Sequence, residues 1–318
     1  MSVPPCILCP IDYSDASIGA LRYAAAIAER FGARLVVMSV EDPLLTTAMD
    51  VGTGIYWSPD LSKGQLQEFV VEALGPDRPI LARCEYQVSV GKPPVEILRD
   101  ARYRKDCELI VMSSHGLTGA RKLFFGSTTE RVLRETTVPV LVTPAADPGP
   151  ADLDAAARKI RRIAIPVDLS PASAHQAHIA NRIADTLNLH VLLIHVIEPV
   201  RSRLLPGVHV AGLTASRRAV AEDALQQLAS EMSDRSQAEA LIAYGDPAEE
   251  AAKVVRDRGA GLVLMGLHGS PLLGPRMGSV TYRILCLCHV PVLAVPPQWN
   301  EPAEDQPVGV TTGTTEVD

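Results

Sequence analysis

Two loops carry residue types that can bind an anion. Each contains a His-Gly pair, and a Gly-Ser pair follows after nine intervening residues in the first loop and eight in the second. The loops are Ser113-Ser114-His115-Gly116 with Gly126-Ser127, and Gly266-Leu267-His268-Gly269 with Gly278-Ser279. Glycine lets backbone N–H groups approach an oxyanion closely, and a helix start presents free N–H groups and a positive dipole end. The spacing therefore predicts a phosphate-type anion site in each loop.

A carboxylate follows the first apolar run of each half of the chain. Asp12 comes directly after Ile7–Ile11, and Asp168 comes directly after Ile163–Val167. Short apolar runs bounded by turn residues predict buried strands. A carboxylate at a strand end can accept hydrogen bonds from a sugar hydroxyl or a base amino group. Together with the anion loops, the two aspartates predict a site for a nucleoside and its phosphates.

The chain repeats itself once. Matching segments recur in the same order, at offsets that shrink from 156 to 152 residues. The matched pairs are Ile7–Asp12 with Ile163–Asp168, Glu41-Asp42-Pro43 with Ile197-Glu198-Pro199, Gly91-Lys92-Pro93 with Gly245-Asp246-Pro247, Leu109–Gly116 with Leu262–Gly269, and Val138–Leu141 with Val290–Leu293. A preserved order with little drift indicates tandem duplication of one domain rather than a solenoid of short units.

Within each half, apolar strand-like runs alternate with helical patterns. The predicted strands are Ile7–Ile11, Arg34–Val40, Arg83–Val90, Leu109–Met112 and Val138–Thr143, then a run from Ile163, His190–Val196, Ala238–Ala243, Leu262–Met265 and Val290–Val295. The predicted helices start after the candidate N-caps Ser14 and Ser170, cover Leu61–Leu74, Pro93–Arg104, Ala215–Glu231 and Pro247–Arg258, and follow Gly126 and Gly278. This alternation predicts, in each copy, a parallel sheet covered by helices on both faces. Ligands of such sheets bind beyond the carboxyl ends of the strands, where the strand order reverses.

Composition suggests the domain boundaries. We expect one domain over residues 1–146, a linker over 147–158 with a short helix at its end, and a second domain over 159–297. The linker region is rich in Ala, Pro and Asp, which is typical of connecting segments. Residues 298–318 hold acidic side chains and no Lys or Arg, so we expect an acidic disordered tail.

The charge balance narrows the classes of partner. Lys and Arg number 30 against 37 Asp and Glu, and five of the seven excess negative charges lie in the tail. A nearly neutral folded part argues against a nucleic-acid-binding protein. No apolar run reaches the ~18–20 residues that span a bilayer, so no membrane partner is expected. Six cysteines are too few for a disulfide scaffold in this length, and we expect the reducing cytoplasm.

Taken together, the motifs resemble the universal stress protein family in its tandem two-domain form. The resemblance rests on the Pro-x-Asp after strand one, the Glu-Asp-Pro after strand two, the Gly-x-Pro before helix three, and the glycine loop. It implies two Rossmann-like copies of a five-stranded parallel sheet with helices on both faces. It also implies ATP, with or without Mg²⁺, as the ligand: adenosine lies against the strand-one Asp and the end of strand two, and the phosphates lie on the loop.

Carried over position by position, the resemblance nominates nucleotide-binding residues in both copies. In the first copy they are Pro10, Asp12, Val40, Met112, Ser113, Gly116, Gly126, Ser127 and Thr128. In the second copy they are Pro166, Asp168, Val196, Met265, Gly266, Gly269, Gly278, Ser279 and Val280.

Each copy departs once from the family pattern. The first has Ser113 where the first glycine of the loop belongs, which costs little unless that residue needs a positive φ or the ligand touches its Cβ. The second has eight residues rather than nine before Gly278, with Gly274-Pro275 among them. A missing residue shifts the helix start relative to the phosphates.

Simpler interpretations compete with these site assignments. Ser127 and Glu130 also form a Ser-x-x-Glu capping box, which needs no ligand. Asp12 could merely start the turn into the first helix. His115 and His268 have no nucleophile or carboxylate partner at a recognisable spacing, so loop packing is favoured over catalysis. Alternation along a strand predicts that Cys6 and Cys9 face opposite sides and pack in the core.

The sequence therefore predicts a regulatory nucleotide-binding protein of the stress or dormancy response, with no catalytic or metal-ligating residue nominated. The alternatives are a slow ATPase or phosphoryl-transfer enzyme, and a ligand-free interaction scaffold. The expected partners are ATP and an unknown signalling protein. Family dimers pair their last strands, so Val138–Thr143 and Val290–Val295 predict either a homodimer or a pseudo-dimer within one chain.

Overall fold

The structure is a computed structural model that describes residues 4–44, 58–115, 126–199, 211–232, 237–267, 277–297 and 299. The strands are β1 (Cys6–Ile11), β2 (Arg34–Glu41), β3 (Cys84–Val90), β4 (Cys107–Ser113), β5 (Val140–Thr143), β6 (Arg162–Pro166), β7 (His190–Ile197), β8 (Glu239–Tyr244), β9 (Leu262–Gly266) and β10 (Val292–Val295). These bounds agree closely with the predicted strands. The largest differences are at β4, which begins two residues earlier and ends one residue later than predicted, and at β5 and β10, which begin two residues later, after the prolines Pro139 and Pro291. Proline has no N–H to donate to a ladder.

Helices connect the strands. They are α1 (Asp15–Phe31), α2 (Pro59–Leu74), α3 (Pro93–Tyr103), α4 (Ser127–Glu135), α5 (Leu153–Lys159), α6 (Pro171–Leu187), α7 (Ala211–Ser230), α8 (Pro247–Asp257) and α9 (Ser279–Leu287), with a 3-10 turn over Pro79–Arg83. The predicted helix of the linker is present as α5. None of the described helices is both long enough and apolar enough to cross a membrane.

Both copies share one ten-stranded sheet, in the order β3-β2-β1-β4-β5-β10-β9-β6-β7-β8. Within each copy all neighbouring strands are parallel, which confirms the predicted fold class. β5 and β10 pair antiparallel, with Leu141 opposite Leu293. The last strands therefore pair within one chain, which is the pseudo-dimer arrangement. The outer edges of the sheet are β3 and β8.

Two apolar layers sandwich the sheet. One layer contains side chains of α1, α2, α6 and α7, and the other contains side chains of α3, α4, α8 and α9. Cys9 belongs to the first layer and Cys6 to the second, and both are fully buried, as the alternation predicts. Because β5 and β10 run in opposite directions, the strands of the two copies end at opposite ends of the sheet.

A buried carboxylate fixes the start of the linker to α1. Asp147 Oδ2 accepts a hydrogen bond from Tyr23 Oη (3.0 Å), and Lys159 Nζ lies 2.5 Å from Asp147 Oδ1. The ammonium of Lys159 also lies 5.4 Å from the centre of the Tyr23 ring. Burial, followed by the charge of Asp147, raises the pKa of Tyr23. These contacts hold the linker helix α5 over the sheet face that carries α1.

The repeated Gly-x-Pro motif has a steric cause. Gly91 has φ +151° and Gly245 has φ +143°, in the region that favours glycine. A Cβ at Gly91 would lie 2.9 Å from Glu96 Oε1, and one at Gly245 would lie 2.8 Å from Glu250 Cγ. Each glutamate belongs to the first turn of the helix that the proline opens. The motif therefore packs a helix start against the end of the preceding strand.

We expect Gly91→Ala to lower the free energy of unfolding by about 1–3 kcal/mol, because alanine is strained at this φ and its methyl meets Glu96. Gly64→Ala is the matched control: Gly64 lies within α2 with no neighbouring atom inside 4 Å of an added Cβ. The Gly64→Ala variant should raise the free energy of unfolding by about 0.5–1 kcal/mol. Urea denaturation followed by circular dichroism measures both. Changes of the same sign would show that the approach to Glu96 does not constrain Gly91.

Candidate functional site

Most of the predicted site residues that the structure describes lie at the carboxyl end of the strands in each copy, a region we call the rim. In the first copy the strand order reverses between β1 and β4, and in the second between β6 and β9. Asp12 directly follows β1, and Gly126 precedes α4, which follows β4 in the chain. Adjacent parallel strands end together, so the aspartate and the helix start lie at the same rim.

Asp12 is an exposed carboxylate held by a serine. Its Oδ1 accepts hydrogen bonds from Ser14 N (3.2 Å) and Ser14 Oγ (2.6 Å). Ser14 is the N-cap of α1, since its Oγ also accepts from Ser17 N at 3.2 Å. Asp12 therefore does form the turn into α1, and its hydrogen bonds with Ser14 orient its carboxylate at the end of β1.

The residue after each aspartate has a strained backbone. Tyr13 has φ +63° and its counterpart Leu169 has φ +61°, both in the left-handed region that bulky residues avoid. Strain of this kind persists only where surrounding contacts hold it, and it is common at binding sites. The Tyr13 ring packs edge-on against Phe69, with centroids 5.2 Å apart. Burial raises the pKa of Tyr13, and a hydrogen bond with Ser39 opposes that rise.

Asp168 is held by a different serine from the one that holds Asp12. Its Oδ1 accepts from Ser173 Oγ (2.6 Å) and from Ser170 N (3.0 Å), and its own N–H donates to Ser173 Oγ at 3.0 Å. Burial alone would raise the pKa of Asp168, but the hydrogen bonds from Ser170 and Ser173 outweigh it, so the pKa is lowered. Ser170 is the N-cap residue of α6 as predicted, although its side chain makes no capping hydrogen bond.

The start of α4 is docked on the end of β4. Gly126 N donates to Ser114 O at 2.9 Å, and Thr129 Oγ1 donates to Ser113 O at 2.8 Å. The second copy repeats both contacts, from Gly278 N to Leu267 O at 3.3 Å and from Thr281 Oγ1 to Gly266 O at 3.1 Å. The two threonines were not among the predicted site residues. The repeat could have found them, since each follows its Gly-Ser pair by the same spacing.

The capping-box interpretation of α4 is wrong. The N-cap is Gly126, no side chain of the described residues makes a capping hydrogen bond to it, and Ser127 is already the first helical residue. Glu130 pairs instead with Arg134 one turn later. The first turn of α4 therefore presents backbone N–H groups at the rim, beside the exposed Ser127 and the half-buried Thr128.

The remaining predicted residues differ in their exposure and in whether the structure describes them. Pro10, Val40, Pro166 and Val196 are half-buried at strand ends beside the aspartates, while Ser279 and Val280 are exposed at the start of α9. The side chains of Met112 and Met265 are only 5% exposed and belong to the core, so only their backbone can face the rim. Gly116, Gly269 and His268 lie outside the described residues. His115 Nδ1 lies 3.0 Å from Ser114 Oγ, a contact within the loop.

The two copies fill the space at the end of β4 and β9 differently. Neither Ser113 nor Gly266 has a positive φ, so serine is conformationally allowed at this position. Ser113 Oγ donates to His115 O at 2.6 Å. In the second copy, a Cβ at Gly266 would lie 2.3 Å from Gln176 Nε2. Gln176 on α6 corresponds to Ala20 on α1, so its side chain takes the volume that Ser113 takes in the first copy.

Fold and rim together define a tandem, doubly wound α/β protein with one rim site per copy. The sequence profile of the Universal stress protein family matches residues 6–144 and 159–296. Universal stress protein MJ0531 of Methanocaldococcus jannaschii is 32% identical over 140 residues, 43% of this chain and 79% of that protein. Universal stress protein YxiE of Bacillus subtilis is 29% identical over 144 residues, 43% of this chain and 96% of that protein.

A solved structure matches both copies together. The crystal structure of a universal stress protein from Archaeoglobus fulgidus covers 92% of this chain and 98% of its own, with a TM-score of 0.58 at 20% identity. That likeness supports the fold. With one profile match in each copy, the chain belongs to the universal stress protein family.

The exchange between Ser113 and Gln176 predicts coupled mutations. Gly266→Ser should lower the free energy of unfolding, because the new side chain displaces Gln176. The double variant Gly266→Ser with Gln176→Ala recreates the first-copy pair and should recover that loss, with a coupling energy of about 1 kcal/mol. Urea denaturation of the two single variants and the double variant measures it. Additive effects would contradict the shared volume.

Asp168 predicts a pH-dependent contribution to stability. A lowered folded-state pKa stabilises the protein above the unfolded-state value of about 3.9, and the contribution is lost as the pH falls through the folded-state pKa. Asp168→Asn should therefore be destabilising at neutral pH, by less than about 1 kcal/mol for an exposed group. The difference from the wild type should vanish below the folded-state pKa. Asp223→Asn, on the exposed surface of α7, is the charge-matched control; an equal pH dependence there would contradict the assignment.

Proposed function

We propose that this protein is an ATP-binding regulatory protein of the stress response, which uses nucleotide occupancy as a signal. Membership of the universal stress protein family supports the stress role. The observation that carries the proposal is the placement of Asp12 and the start of α4 at one rim, on the adjacent strands β1 and β4. A carboxylate suits ribose hydroxyls, and a helix start suits phosphates.

The residues at the first rim fit a nucleotide. α4 is nine residues long, and no described side chain caps its start, so the backbone N–H groups of its first turn face the rim. We assign the phosphates to this turn, with the Thr128 hydroxyl beside them, and the ribose to Asp12. Val40, half-buried at the end of the neighbouring strand β2, offers an apolar contact for the base.

We assign the principal site to the first copy. The helix α9 begins with Ser279-Val280, so the second copy lacks the hydroxyl that Thr128 provides. Asp168 is held by Ser173 and keeps the same place after its strand. We therefore propose a second, weaker nucleotide site at that rim.

Binding without turnover is the mode we propose. Among the described residues, no group of three or more His, Cys, Asp or Glu side chains could hold a metal ion. If Mg²⁺ accompanies the nucleotide, phosphate oxygens and water would supply most of its ligands. The six cysteines are all free, and we propose a cytoplasmic location, where thiols stay reduced.

The decisive experiment measures nucleotide binding by isothermal titration calorimetry, after mass spectrometry has identified any nucleotide released on denaturation. We expect Asp12→Ala to weaken ATP binding at the principal site by about 1–3 kcal/mol, roughly 5- to 150-fold in Kd, because a hydrogen-bonding carboxylate is lost. Glu68→Ala, which removes an exposed carboxylate from the middle of α2, is the control with the same charge change and should bind ATP normally.

Three outcomes would revise the proposal. Equal affinity in Asp12→Ala and the wild type would remove Asp12 from the site. Absence of any ATP binding to the intact protein would favour the scaffold function. Phosphate release above background, abolished in Gly126→Ala, would favour the slow ATPase.

A further inference from the structure

A cavity of about 500 Å³ lies between the two copies, on the sheet face that carries α1 and α6. We call it the seam cavity because it lies over the β5–β10 pair. Its walls are the carboxyl-terminal parts of α1 and α6, represented by Ile27 and Ile183, and its roof is formed by α5 and Trp299. None of the residues predicted to bind nucleotide at either rim lines it.

The cavity follows from how the copies join. α1 lies over the strands of the first copy and α6 over those of the second, so β5 and β10 meet between them. On this face the seam is roofed by α5, a helix of seven residues with none fully buried. On the opposite face, Leu133 of α4 and Leu285 of α9 are buried in the core.

The apolar lining of the seam cavity suits a hydrocarbon ligand. Its floor takes one apolar side chain from each of five adjacent strands, in the order Ile7, Leu109, Leu141, Leu293 and Leu262. The Tyr23 hydroxyl at the wall already donates to Asp147. Buried water needs two to four polar partners, which this floor does not supply, whereas apolar cavities of about 150 Å³ already bind small apolar molecules.

Its shape favours an extended chain over a compact ring system. Strands are about 4.8 Å apart, so the five floor residues span about 19 Å from β1 to β9. A volume of about 500 Å³ spread over that span leaves a narrow cross-section. Charged side chains lie only at the margin: Arg30, Glu108 and Asp154 are all exposed.

We propose that the seam cavity binds the extended acyl chain of one amphiphile, a fatty acid or an acyl lipid, with its polar head among the charged margin residues. Arg30 is fixed there because its Nη2 donates to Thr186 O at 3.2 Å, joining α1 to α6 across the cavity. A guanidinium at the margin suits an anionic head. The ligand spans both copies, so a single copy cannot form this site.

Trp299 provides a direct fluorescence reporter of ligand binding in the seam cavity. The chain has two tryptophans, Trp57 and Trp299, and Trp299 lines the seam cavity. In a Trp57→Phe background, a straight-chain alkanoate carrying bromine should quench Trp299 fluorescence saturably, at one ligand per chain. Across a homologous alkanoate series below micelle-forming concentrations, affinity should rise about fourfold per methylene and stop rising when the chain fills the cavity.

A matched pair of variants locates the binding. Ala156 and Ala155 are neighbours on α5 and both are half-buried, but only Ala156 lines the cavity. Ala156→Phe should weaken alkanoate binding at least tenfold, while Ala155→Phe keeps it. Circular dichroism and ATP titration confirm that both variants are folded. Because the rims lie elsewhere, ATP binding should be unchanged in both.

Mass spectrometry of an organic extract of the purified protein distinguishes the two sources of the acyl chain, since a free fatty acid and an acyl lipid differ in the recovered head group.

Three results would overturn the proposal: no saturable quenching of Trp299, equal binding by Ala156→Phe and Ala155→Phe, or affinity that climbs with chain length without limit, as partitioning onto a surface does. The chain-length limit is measured on the Trp57→Phe protein and depends on neither α5 variant.

Discussion

The antiparallel pairing of β5 with β10 determines most of the remaining architecture. Each strand has four residues, and together they merge two five-stranded sheets into one. The pairing relates the copies by a twofold rotation about an axis through the sheet. Consequently α1 and α6 share a face while the two rims lie at opposite ends, so nucleotides bound at both rims would not contact each other. It also satisfies two strands that would otherwise be exposed edges.

The same pairing makes the linker a structural element. A twofold relation leaves a gap between α1 and α6 above the seam, and α5 covers that gap because Asp147 ties its end to Tyr23 through Lys159. The helices α1 and α6 each begin just after a rim aspartate and end at the seam cavity. Each of these two helices therefore connects one rim with the seam cavity.

Much of the fold could be predicted from sequence because the strands are continuous apolar runs and the duplication samples every element twice. The alternation of Cys6 and Cys9 follows from strand geometry alone. Capping was less predictable: a Gly-Ser pair before a helix does not tell which residue takes the extended N-cap conformation. In α4 and α9 it is the glycine, so the serine lies inside the first turn and a box built on Ser127 fails. The first residues of β5 and β10 depend on the prolines that precede these strands.

The finer features of the rims depend on contacts that sequence patterns do not encode. The left-handed turns at Tyr13 and Leu169 occur at residues that normally avoid that conformation, and in each copy a serine hydroxyl bound to the aspartate stabilises the turn. In the first copy, Ser113 replaces the first glycine of the loop motif. In the second copy the glycine is present as Gly266, and the side chain of Gln176 fills the space that the Ser113 side chain fills in the first copy. The copies thus keep one rim backbone and differ in the side chains that pack around it, which allows their ligand affinities to diverge without loss of the fold.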